Sequence, residues 1–435
     1  MKRPRMVWPL PEPVTRLVRV ASIAAVVIVL TNGPVFLFSK SVVDRSGDWE
    51  DPAVWPFFVA AAVASAVLAV TGRSPAEPLT GSQKVAAAAV AVYSLVAVAS
   101  ALWSVHPFAT AWRAAVYVGL GLLAWVVARL ELDDLAAVLF SVAGAAVVGS
   151  AVLVVLRPDL GLDPNGNWEG LYTNRNSLAP VAAIGVLVGI RYLAAGERWS
   201  RVAGAALGAL SVGAMAGAGS RTAWIALLIA VAVATGAVGF HWIRSRWGPA
   251  AAGASLAAAA ALGASGALAA LAALWDDPTF SQRRTMWSLV WGRVSERPLG
   301  GYGFYAFWEE IELLDHALLR RGSAHNSLME VALGLGLIGT VPFLVIVVLA
   351  ARNAGLHLWR GGGADSWMWA AVVGFVLVEN VTESFVLWFS YAWVLLMAAA
   401  LRRLPPGGRS QAVVDTVETD GCAHAPSGQG SRSGA

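Results

Sequence analysis

The sequence predicts an all-α, polytopic membrane protein, and three observations carry that prediction. Apolar residues make up 57% of the chain and charged residues only 13%, roughly half the charge of a soluble domain. Apolar runs of about 20 residues, long enough to cross a bilayer, recur from one end to the other. Arginine and lysine gather on every second connection between those runs, as the positive-inside rule requires. A soluble enzyme is excluded by this pattern. The net charge of +4 follows from loop topology and points to no nucleic-acid partner.

Twelve spans are expected: 15–39, 52–72, 85–103, 107–128, 135–156, 177–195, 201–218, 222–240, 248–274, 326–350, 367–384 and 386–401. The first follows Lys2, Arg3 and Arg5 and opens with Arg16 and Arg19, and these five assign the N-terminus to the cytoplasm. It is longer than a signal-peptide core and lacks a small-residue cleavage site, so it reads as a retained anchor. Arg73, Lys84, Arg129, Arg198, Arg201, Arg244, Arg246, Arg352, Arg360, Arg402 and Arg403 mark the later cytoplasmic connections. An even span count returns the C-terminus to the same side. The expected layout is a cytoplasmic N-terminus (1–14), nine spans (15–274), a long external loop with short interfacial helices (275–325), three spans (326–401) and a tail (402–435). From Pro405 onward the tail is Gly/Ser/Pro-rich and expected to be disordered. It holds Cys422, the only cysteine, so no disulfide and no cysteine metal site is available.

Most of the chemistry falls in the 275–325 loop, which carries six arginines, a Gly-Gly-Tyr-Gly turn and an Ala-His-Asn at the mouth of the next span. Loops this long in a compact bundle are usually functional or disordered, and the tryptophans and helical spacing here oppose disorder. His325 opens an apolar helix, followed by Asn326. A lone histidine is more often structural, but no cysteine or nearby second histidine makes a metal site here. An imidazole titrating near neutrality can take a proton from a hydroxyl, and neighbouring arginines are expected to keep it a free base.

Arg221 lies in Gly-Ser-Arg-Thr where two spans meet almost without a loop. Its bland reading is a snorkelling anchor. Its sharper reading is an anion clamp, because it sits on the external side at a helix start, where free N–H groups favour negative charge. Arg283 and Arg284 precede Trp287 and Trp291; four-residue spacing assigns Arg283, Trp287 and Trp291 to one helix face. That helix reads either as a surface helix on anionic lipid or as a second phosphate clamp.

The glycines of the turn, with Gly301, Tyr302 and Gly303 at its centre, let backbone approach a ligand closely; a plain tight turn explains them equally well. Arg113 lies about one and a half turns inside its span, where a buried charge is a functional candidate. Glu379 and Glu383 are spaced i, i+4 near the outer end of a span and suit pairing with an arginine. Asn174, Arg175 and Asn176 begin another span and suit helix capping.

Four segments, in order, resemble the O-antigen ligase/polymerase superfamily of bacterial envelope glycosyltransferases. They are Thr-Asn-Arg-Asn-Ser-Leu-Ala (173–179), Gly-Ser-Arg-Thr-Ala (219–223), Arg-Arg-Thr-Met-Trp with Arg-Pro-Leu-Gly-Gly-Tyr-Gly (283–287, 297–303), and the stretch from Ala-His-Asn to Gly-Leu-Ile-Gly (324–339). The resemblance implies a helical lipid-sugar glycosyltransferase fold. It implies a donor glycan on an undecaprenyl-diphosphate carrier and an acceptor hydroxyl on a glycan, lipid or other molecule, at the outer face of the cytoplasmic membrane. It implies that Arg221 and one of Arg283 and Arg284, with Arg283 preferred for its place four residues before Trp287, bind the diphosphate. His325 then activates the acceptor, with Asn326, Gly301, Tyr302, Gly303, Asn176 and Arg113 around the substrates. Guanidinium groups facing a leaving diphosphate stabilise the transition state without a metal or other cofactor.

Two other readings compete. A metal-dependent relative would use Asp44, Asp48, Glu50 and Asp51 of the first external loop, whose oxygens suit Mg²⁺ or Mn²⁺. A transporter or flippase would need charged groups near the bilayer midplane, whereas the polar residues here gather at the outer mouth.

Overall fold

The computed structural model describes residues 12–42, 54–71, 78–275, 278–310, 316–319, 322–385 and 390–405. The acidic loop residues Asp44, Asp48, Glu50 and Asp51, the basic N-terminal residues before Glu12, Arg73 and the tail from residue 406 onward with Cys422 therefore lie outside the described residues. Those described form helices and no β-strand: α1 (Glu12–Val29), α2 (Gly33–Val42), α3 (Trp55–Thr71), α4 (Gly81–Ala99), α5 (Pro107–Ala128), α6 (Leu132–Leu156), α7 (Pro158–Gly161), α8 (Arg175–Ala195), α9 (Arg198–Ala218), α10 (Arg221–Trp275), α11 (Pro278–Glu296), α12 (Ser327–Gly361), α13 (Gly363–Thr382) and α14 (Tyr391–Leu401).

An all-α membrane chain results, as the apolar pattern predicts, and part of the expected set of spans meets the length and composition of a membrane helix. Among the described residues seven helices are long and apolar enough to cross a membrane: α4, α5, α6, α8, α9, the first part of α10 and α12. The helices α3 and α14 are apolar but shorter; the eleven residues of α14 reach only about 16 Å, half a hydrocarbon core. The charged Glu12, Arg16 and Arg19 fall within α1 itself. The expected first span also divides. It stops at Val29, turns through Asn32 at φ 71°, and restarts at Gly33. Gly33 is required there, because a Cβ would run into the Tyr172 ring. Two further breaks interrupt long helices: Gly248 in α10 (φ 85°) and Gly336 in α12 (φ 59°).

Long-range contacts sort the helix ends into two sets. At one end, Arg191 at the close of α8 bonds Asp133 of α6 and Asp365 of α13, each at 2.5 Å. Arg16 of α1 reaches the same Asp133 and also Asp134. Arg402, after α14, donates to the carbonyls of Val127 and Leu130 in the α5–α6 turn, and burial pulls its guanidinium down to about 10. This Arg191 end collects the described basic connections that the sequence assigns to one side. The opposite end carries His325.

Candidate functional site

The site is built on the first turn of α12. Asn326 caps that helix: its side-chain oxygen accepts from the Met329 N–H at 3.0 Å, and its amide donates to the Val381 carbonyl at 2.9 Å. His325, just before the cap, takes φ 49°, a left-handed conformation uncommon for a residue with a side chain. Its N–H donates to the Ser323 hydroxyl at 3.1 Å. From that backbone the imidazole Nδ1 lies 3.0 Å from Glu383 Oε2, and the other Glu383 oxygen accepts from Arg283 Nη2 at 2.6 Å. Glu383 is buried, Arg283 nearly so, and the His325 side chain is 32% exposed, so the histidine opens the cluster to the surface.

The group in contact with His325 is thus a carboxylate, where the sequence suggested arginines. Arg283 meets the histidine through Glu383, because α13 ends directly beneath the α12 cap. One turn earlier on α13, Glu379 is buried, and neither of its oxygens has a hydrogen-bond partner among the described residues.

Arg283 arrives on α11, a 19-residue helix rather than a short one. Its inward face carries Arg283, Met286, Trp287, Val290 and Val294, and Trp287 Nε1 donates to the Ala324 carbonyl at 2.8 Å. Arg284 faces outward, and so does Trp291 at 59% exposure. Steps of four residues advance about 40° around a helix. Two steps therefore carry Trp291 off the face shared by Arg283 and Trp287, against the expectation for it.

The Gly-Gly-Tyr-Gly turn meets protein backbone. The break at Gly336 leaves carbonyls of α12 without helical partners, and the turn supplies them: Tyr302 N–H donates to Leu333 O at 3.0 Å and Gly303 N–H to Gly334 O at 2.9 Å. In return the Leu337 N–H donates to Pro298 O at 2.8 Å. A Cβ at Gly301 would strike the Gly334 backbone. Tyr302 is buried, and its hydroxyl donates to Glu296 at 2.6 Å; burial, with that carboxylate, pushes the phenol up to about 12. These residues seat the loop in the helix break.

Arg113 has a comparable role. Fully buried in α5, it donates to the Tyr305 carbonyl at 2.7 Å and pairs with Glu309, tying the loop to α5. Asn176 follows a capping residue: its N–H donates to the Asn174 side chain at 2.8 Å, starting α8.

Arg221 is the first residue of α10, exposed, after buried Ser220 and Gly219 at φ 61°. Gly219 also faces Asn167 and the guanidinium of Arg175. The N-termini of α8 and α10 therefore converge, each bearing an arginine, a pairing that sequence spacing does not disclose. The helix α10 packs along α13, whose C-terminal cap is Glu383. Among the described residues no group of three histidine, cysteine or acidic side chains is arranged to hold a metal.

Residues 205–344 match the family model described as O-antigen ligase. The match supports the O-antigen ligase/polymerase superfamily. It runs from α9 through the loop into α12, covering Arg221, Arg283, Arg284, Tyr302 and His325, and it stops short of Glu379 and Glu383. The family implies a glycosyltransferase-like ligase or polymerase enzyme in a multi-pass membrane protein. No curated protein matches the chain.

Proposed function

We propose that this protein moves a glycan from an undecaprenyl-diphosphate carrier to an acceptor hydroxyl at the outer face of the cytoplasmic membrane. The single observation that carries the reading is the His325–Glu383–Arg283 cluster, a partly open imidazole beside a buried carboxylate and a guanidinium. Glu383 favours the tautomer with the proton on Nδ1, which leaves Nε2 to accept. The acceptor hydroxyl gives its proton to Nε2, its oxygen bonds the anomeric carbon, and the bond to the diphosphate breaks with its electron pair leaving on the diphosphate oxygen. Attack opposite the leaving group inverts the anomeric centre.

Arg221 and Arg283 serve the diphosphate, whose charge grows as the bond breaks. The inward face of α11 supports Arg283 over Arg284. Arg175 joins Arg221 at the two helix N-termini, where N–H groups favour an anion. The positive-inside pattern supports an outward-facing site and cytoplasmic termini. Membrane lipids, the lipid-linked donor and a glycan, lipid or other hydroxyl acceptor are the partners in this reading.

The test is turnover by the purified protein of lipid-linked glycan extracted from the native membranes, followed as release of undecaprenyl diphosphate. Transfer should persist in EDTA, since guanidinium groups supply the positive charge. Loss in EDTA with recovery in Mg²⁺ or Mn²⁺ would move the chemistry to the acidic first loop.

A further inference from the structure

Glu330 lies in the first turn of α12, almost fully buried, and its carboxyl group takes four donors. Trp308 Nε1 donates to Oε2 at 2.8 Å. The Ala324 N–H at 2.6 Å, the Ser323 hydroxyl at 3.0 Å and the Ser384 hydroxyl at 3.2 Å converge on Oε1. A carboxyl group inside an apolar helix is expensive, so retention of one with a complete donor set calls for a reason.

The identity of the donors supplies it. Ala324 immediately precedes His325, and the Ser323 hydroxyl also accepts from the His325 N–H. Ser384 immediately follows Glu383, and its hydroxyl accepts from the Asn326 N–H at 3.0 Å. One carboxyl group thus grips the chain beside both members of the His325–Glu383 pair. It also grips Trp308, in the outer segment stapled to α5 by Arg113. His325 needs such a hold, because its left-handed backbone persists only where the surroundings enforce it.

We propose that Glu330 is a positioning residue that holds His325 in register with Glu383 and links that register, through Trp308, to the outer loop. The inference rests on His325 being the base. Glutamine at this position cannot substitute: whichever way its amide turns, the NH₂ faces either the Trp308 N–H or the Ala324 N–H, and both of these only donate.

The experiment uses full-length protein in lipid nanodiscs, with native lipid-linked glycan for turnover and undecaprenyl diphosphate as the binding probe. Glu330→Gln should lower kcat about 10–100-fold, the scale of small misplacements at a reacting centre, with the probe's Kd changed by less than about twofold. Combined with His325→Ala it should add no further loss, because the residue acts through the histidine. Amide exchange in the peptide 322–326 should quicken without substrate. Trp308→Phe keeps the ring and removes one donor; a severalfold loss of kcat is expected and decides the matter if Glu330→Gln does not fold. Wild-type turnover in Glu330→Gln or Trp308→Phe, or a double variant slower than His325→Ala by the full Glu330→Gln factor, overturns the positioning role and leaves the base assignment standing. Wild-type turnover in His325→Ala removes the base and this proposal with it.

Discussion

Both ends of the helix bundle are held by arginine–carboxylate pairs, yet they are built for different work. At the Arg191 end, one buried guanidinium joins Asp133 and Asp365, and Arg16 adds a second cation to Asp133. These charges face one another, and they join α1, α6, α8 and α13. At the His325 end, the Arg283–Glu383 pair has a third member, an imidazole that opens to the surface on a strained backbone. Two helix N-termini with Arg175 and Arg221 lie at the same end. The same chemical pair is a staple where it is saturated and a candidate site where a titratable, accessible group completes it.

Substitutions at the two ends should separate these roles. The largest effect is expected for His325→Ala, with kcat lower by about 10²–10⁴-fold, the usual contribution of a general base, and donor binding nearly intact. Turnover and donor affinity of the monodisperse variant check this, and near wild-type kcat would sink the base. Glu383→Gln should follow at about 10–100-fold, because the amide neither charge-pairs with Arg283 nor balances a protonated His325. A comparable loss in donor affinity alone would instead make Glu383 a scaffold for Arg283.

Next comes Arg221. Arg221→Ala should weaken donor binding and rate together, and Arg221→Lys should restore little of either, since a point charge lacks the bidentate fork. Full rescue by lysine, read from Kd and kcat, would reduce the residue to a surface anchor. The smallest catalytic effect is expected at the other end. Arg191→Ala should lower Tm and folded yield while turnover per folded molecule stays within about twofold. A selective fall in kcat there would show that the two ends are coupled, and the comparison would fail.

The pattern of residues along the chain settles the class of the molecule and the order of its parts. Apolar length and charge alternation are local properties, so α4, α5, α6, α8, α9 and α12 coincide with expected spans, and Asn174 caps α8 as its residue type suggests. The candidate histidine and its arginines were legible as a loop rich in polar groups at the mouth of a span. Glu383 was legible only as half of an i, i+4 pair. Its place beside His325, 58 residues away in sequence, depends on how α13 packs under the α12 cap. Glu330 gave one local signal, an acidic residue in the first turn of an apolar helix, but its four donors come from three separate stretches of chain. The glycine turn shows the same limit: its flexibility is written in the sequence, while its partner, the open carbonyls of a helix broken at Gly336, exists only once α12 has folded. Periodicity fixes which residues share a helix face over one or two turns. Contacts between distant elements are fixed by packing, and they decided what the polar residues of this protein touch.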